Sequence, residues 1–110
     1  MYDALDIKYD CPVEALSSIL GKKWVGTIIW ELQDHRMRFG ELERSLNGCS
    51  KKMLSQQLDL LVGEKIILNE KKIENNVVES VYYLSEEGKG LLPIIKNMIL
   101  WSKNNIKCKK

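Results

Sequence analysis

The stretch RFGELERSLNGCSKKMLSQQLDLLV, residues 38–62, constrains the fold more than any other part of the chain. Phe39, Leu42 and Leu46 recur at helical spacing, and Asn47-Gly48 supplies a turn. Ser50 then opens a second run, residues 50–62, in which Met53, Leu54, Leu58, Leu61 and Val62 share one face. The spacing predicts a helix, a turn and a helix. The face opposite the second apolar stripe carries Lys52, Ser55, Gln56 and Asp59, with Lys51 in the first turn and Gln57 at the flank. Such side chains, presented by a short helix behind a turn, suit phosphate oxygens and base edges in a major groove. The same face would also serve as the solvated side of any amphipathic helix, so the stretch by itself leaves both readings open.

The segment after the second helix narrows the choice. Residues 66–73, IILNEKKI, and 77–84, VVESVYYL, are rich in Ile, Val and Tyr and flank Glu74-Asn75-Asn76. Asparagine tolerates the left-handed backbone of a tight turn, so residues 66–84 read as a β-hairpin. A hairpin beside a helix-turn-helix is a wing. Lys71 and Lys72 near its tip are placed to lie along a phosphate backbone, although exposed strand edges also carry lysine for solubility.

The flanking segments supply the rest of the domain. Residues 1–10 read as a polar arm, and Cys11-Pro12 marks a helix start because proline suits the first turn. Val13, Leu16, Ile19 and Leu20 form the expected buried face; Gly21 ends that helix, and a second begins near Lys22. Trp24, Val25, Ile28, Ile29 and Leu32 follow at helical spacing, with Trp24 and Trp30 read as core or boundary packing. His35, the single histidine, falls in a polar turn without neighbouring ligands and reads as a solvated residue.

A last helix, residues 85–104, is expected from Ser85, a capping residue followed by Glu86 and Glu87. Leu91, Leu92, Ile94, Ile95, Met98, Ile99, Leu100 and Trp101 crowd almost its whole circumference, and Pro93 must bend it or move its start. A domain of this size covers only one side of such a helix. The rest would be an apolar patch, and burying each large side chain is worth about 1.5–3 kcal/mol. A homodimer through Leu91, Leu92, Ile95, Met98, Ile99 and Trp101 is the expectation.

Composition sets the remaining limits. A chain of 110 residues builds one domain with one modest core, here mainly α with a small β-hairpin: a winged helix-turn-helix, dimeric through its terminal helices. The formal net charge is only +2, so any electrostatic footprint for DNA must come from the placement of cations and not from bulk charge. Three widely spaced cysteines, Cys11, Cys49 and Cys108, argue against a secreted disulfide framework, and with no leader or membrane-length apolar run they point to a cytoplasmic protein. No phosphate-cradling glycine loop, metal cluster or nucleophile with a base is visible, so neither an enzyme nor a cofactor is expected.

The order CPVEAL at 11–16, GKKW at 21–24, RFGEL at 38–42, SKKMLSQQL at 50–58, VYYLSEEGK at 81–89 and Trp101 resembles the HxlR-type winged helix-turn-helix regulators. The resemblance implies a dimeric DNA-binding transcription factor, with residues 50–62 as recognition helix, 66–84 as wing and 85–104 as dimerisation helix. Double-stranded DNA would be its partner. Arg38, Ser50, Lys51, Lys52, Ser55, Gln56, Gln57, Lys71 and Lys72 are the DNA-binding candidates. Gln57 stands where family members often carry arginine, Asp59 near a basic position, and Glu79 near another; a protein-interaction module that keeps the fold without specific DNA binding is the alternative. Some members sense oxidants or electrophiles through an N-terminal cysteine, which carries that role to Cys11, beside a helix cap whose dipole favours a thiolate. The competing reading of Cys11 is an inert buried thiol that anchors the arm. Cys49 is expected as a small hydrophobe of the core and Cys108 as part of a polar tail.

Overall fold

The computed structural model describes residues 1–107, so Cys108 lies outside the described part. Strands β1 (Tyr2–Ala4) and β2 (Ile7–Tyr9) precede helices α1 (Pro12–Leu20) and α2 (Val25–Leu32). A two-residue strand β3 (Met37–Arg38) leads into α3 (Phe39–Ser45) and α4 (Lys51–Gly63). Strands β4 (Ile67–Glu74) and β5 (Val77–Leu84) form the wing, followed by α5 (Glu86–Lys89) and α6 (Leu92–Asn105). The wing sheet has the order β3-β5-β4, and β1 and β2 pair only with each other.

The core is built from the apolar stripes of the helices. Val25, Ile28, Ile29 and Leu32 of α2, Leu42 of α3, and Leu54, Leu58 and Leu61 of α4 are fully enclosed, with Ile67 and Leu84 closing the base of the wing. Gly48 makes the turn between α3 and α4 at φ 93°, a backbone state that costs glycine nothing. Ser50 caps α4, its hydroxyl accepting the Met53 N–H at 3.1 Å. At the wing tip Asn75 and Asn76 take φ 50° and 64°, so the strands pair from Ile67↔Leu84 to Glu74↔Val77 without a bulge.

Several elements depart from the expectations. Residues 1–10 are a hairpin and not an arm: Ala4 is buried, and the Leu5 N–H donates to Glu64 Oε1 at 2.7 Å, fastening the turn to the end of α4. The second helix begins at Val25, after a turn in which Trp24 adopts φ 72°. Val13 is 70% exposed, because Ala15 and Ile19 are the residues of α1 buried in the core, with Leu20 packed against it. Val62 lies outside the core stripe of α4. The expected helix 85–104 is two helices. Ser85 caps α5, accepting from the Gly88 N–H at 3.0 Å, and Pro93 sits in the first turn of α6, where its missing N–H costs nothing.

Candidate nucleic-acid interface

Helix α4 presents its outer face beside the wing. Lys51, Lys52, Ser55, Gln56 and Asp59 are exposed, since Leu54, Leu58 and Leu61 occupy the inner face. Lys52, Ser55, Gln56 and Asp59 lie three and four residues apart and so line one stripe. Ser50, exposed, gives its hydroxyl to the cap. Gln57 does not belong to this surface. Only 7% exposed, it turns inward, and its Nε2 donates to the Lys23 carbonyl at 2.7 Å, tying α4 to the turn before α2. The turn between α3 and α4 rests on the same segment: buried Cys49 has its thiol pushed up by desolvation, partly opposed by the charge of Lys23.

Lys22 and Lys23 were not among the expected contacts, yet the Gln57 bond places their turn beside α4, where both are exposed. The adjacent lysines in GKKW were the available signal. Tyr82, on the central strand of the wing, feels the charge of Asp59 of α4. Its hydroxyl is pushed up by burial first and by Asp59 second.

The wing sorts its cations by face. Neighbouring residues of a strand point to opposite sides, so Lys71, opposite Ser80, and Lys72, opposite Glu79, do not form one patch. On the side of Lys72, Arg38 of β3 contacts Glu79 at 3.2 Å and Glu41 at 3.5 Å. Arg36 meets Glu70 at 2.8 Å and lies 4.0 Å from the centroid of the Tyr83 ring. Lys71 and Lys72 are exposed, and Arg38 retains 60% of its side-chain accessibility.

A second surface lies on α6, which rests on α2. Ile95 is 4% exposed and belongs to the core of its own chain; it is not available to an interface. Leu91, Leu92 and Ile99 are half-buried against that core. Met98 and Trp101, 49% and 62% exposed, are the expected interface residues that remain free, and Ile94 shares their stripe. Ile94 and Met98 line an apolar groove of ≈ 370 Å³ with Val13, Leu16 and Leu20 of α1. On the other side of Met98 a groove of ≈ 480 Å³ runs along Gly26, Thr27, Trp30 and Ile99. Val13, which misses the core, thus extends an apolar surface shared by α1 and α6.

Cys11 stands immediately before α1 and is exposed, which removes the reading of a buried anchor. His35 is exposed in the turn after α2. Among the described residues no helix is long and apolar enough to cross a membrane.

These elements, a helix-turn-helix with a three-stranded wing sheet, define a winged-helix protein of the DNA-binding regulator class. The chain belongs to the HxlR-like helix-turn-helix family, whose model matches residues 19–110. It is 36% identical over 99 residues to MalR of Fusobacterium mortiferum, a protein named for a regulatory role, covering 89% of this chain and 92% of that one. A solved structure from Porphyromonas gingivalis, named as a transcriptional regulator of the MarR family, superposes with a TM-score of 0.82 at 31% identity, covering 91% of this chain and 97% of that one. The reduced form of the transcriptional regulator YodB from Bacillus subtilis gives a TM-score of 0.79 at 31% identity over 93% of this chain and all of that one. YodB has also been solved after diamide treatment.

Proposed function

We propose that this regulator binds DNA sequence-specifically as a homodimer, with α4 in the major groove and the wing along the backbone. The free stripe of Lys52, Ser55 and Gln56 on α4, between the Lys22-Lys23 turn and the wing, carries this reading. Glutamine pairs through two hydrogen bonds with adenine, so Gln56 is the candidate base reader, and Lys51 and Lys52 the candidate phosphate contacts. Lys71 on one face of the wing, and Lys72 and Arg38 on the other, are the candidate backbone contacts there. The apolar surface of α1 and α6 supports dimerisation, because Met98, Trp101, Ile94 and Val13 form a patch that a second copy would cover. Two copies of α4 would then enter successive major grooves, about 34 Å apart.

Cys11 is the proposed sensor of oxidants or electrophiles. Its exposure at the start of α1, beside the proposed dimer surface, supports this, as does the similarity to YodB, a protein solved in reduced and diamide-treated forms. A modified Cys11 would change the packing of the two copies and so the spacing of the two α4 helices.

One observation favours a second reading, a protein-interaction module without specific DNA binding: Arg36 and Arg38 already have carboxylate partners, and Asp59 stands on the outer stripe of α4. Selection of bound duplexes from random DNA at two salt concentrations separates the two. Phosphate contacts make log affinity fall linearly with log salt, and a palindromic half-site spacing would identify the dimer. Recovery of no preferred duplex at low salt would overturn the proposal in favour of the second reading.

A further inference from the structure

Two opposite charges, Glu79 of the wing and Arg38 before the helix-turn-helix, meet beside the register partner Lys72. Glu79 on the central strand β5 lies directly opposite Lys72 of β4, and on its other side it accepts from Arg38 Nη1 of β3 at 3.2 Å. Arg38 precedes α3 and also receives Glu41, whose Oε1 accepts the Arg38 backbone N–H at 3.0 Å. The nearby Arg36 is held differently. It has both a shorter contact, 2.8 Å to Glu70, and the face of Tyr83 against its guanidinium, so its place does not depend on one carboxylate. Arg38 is held by carboxylates only, in water, at 3.2 and 3.5 Å, and such contacts exchange readily.

We propose that Glu79 is a built-in counter-anion, occupying the place that a DNA phosphate takes when the wing engages a duplex. This deepens the DNA-binding reading and rests on it. A carboxylate and a phosphodiester present a guanidinium with the same kind of paired acceptor oxygens, so a phosphate and Glu79 compete for Arg38. Once released, Glu79 faces that phosphate as a like charge and draws a cation from solution, which reduces the net release of counterions on binding. Glu79 thereby sets a ceiling on non-specific affinity, leaving discrimination to the base contacts of α4.

The test is Glu79→Gln, which keeps the shape and removes the charge, with Glu70→Gln as a charge-matched control. On a selected duplex at about 0.1 M salt, Glu79→Gln should bind about two- to fivefold more tightly, as expected for loss of one exposed competing ion pair. Its salt slope should steepen by up to about one counterion. Glu70→Gln should gain less, and adding Arg38→Ala should abolish most of the Glu79→Gln gain. Unchanged or weaker binding by Glu79→Gln, an equal gain from Glu70→Gln, or a gain that survives Arg38→Ala would overturn the proposal while leaving DNA binding intact. Absence of salt-dependent binding in the unmodified protein would remove the function and this inference together.

Discussion

Gln57 and Lys23 are joined by a 2.7 Å hydrogen bond from the glutamine amide to the lysine carbonyl, which satisfies a polar residue on the buried face of α4 while its neighbour Gln56 faces solvent. Adjacent glutamines on one helix therefore have different consequences when removed. Gln57→Ala leaves a carbonyl without its partner and should cost about 1–3 kcal/mol in denaturant unfolding, with the preferred operator sequence unchanged. Gln56→Ala should leave stability within about 0.5 kcal/mol and relax selection at one base position, worth about 1–3 kcal/mol of discrimination. A loss of sequence preference in Gln57→Ala at unchanged stability would contradict this division.

Ile95 and Met98 lie on one helix but serve different packing. Met98→Glu places a charge on the exposed stripe of α6 and should yield a folded monomer. Ile95→Glu buries an unpaired carboxylate in the core of the chain itself and should unfold it, a loss of at least about 3 kcal/mol. Sedimentation and circular dichroism together distinguish the outcomes. A Met98→Glu protein that remains dimeric would move the interface elsewhere.

The junction between wing and α5 depends on two small residues. The Ser85 hydroxyl accepts the Gly88 N–H and lies 2.6 Å from the Lys65 carbonyl oxygen, so Ser85→Ala should cost about 1–2 kcal/mol. A Cβ on Gly88 would run into the Ile66 carbonyl, which is backbone and cannot swing away. Gly88→Ala should therefore be the more destabilising of the two in denaturant titrations, and equal or smaller loss would show that α5 moves to make room.

The two described cysteines differ in access. Cys11 should react with a thiol reagent at the rate of an exposed thiol, whereas Cys49, buried and with its thiol pushed up by desolvation, should react only as the domain opens. Treatment with diamide or a quinone should alter operator binding in the unmodified protein and leave Cys11→Ser unaffected. The same response in both proteins would exclude Cys11 as the sensor.

Features set by local chemistry were legible in the chain alone. The stripe Leu54, Leu58 and Leu61, the Ser50 cap, the Gly48 turn and the Asn75-Asn76 hairpin depend on spacing and on backbone preferences that neighbouring residues supply. The free face of Lys52, Ser55 and Gln56 was legible too, because a helix with one buried side exposes the other. Tertiary contacts decided the rest. The β1–β2 hairpin turns on Leu5 and Asp6 at positive φ, without the usual glycine or asparagine, and Glu64, 59 residues away, supplies the bond that fastens it. Met37–Arg38 forms a strand only because Val81 and Tyr82 lie opposite. Gln57 shares the inward face with Leu54, Leu58 and Leu61 by helical spacing, but its burial as a polar residue is satisfied only because the Lys23 carbonyl accepts from it, and Ile95 leaves the outer surface only because α2 lies beneath it. Periodicity specifies how a helix divides into faces, but which face meets the core, and which polar side chain completes a distant backbone group, depends on partners brought together by folding.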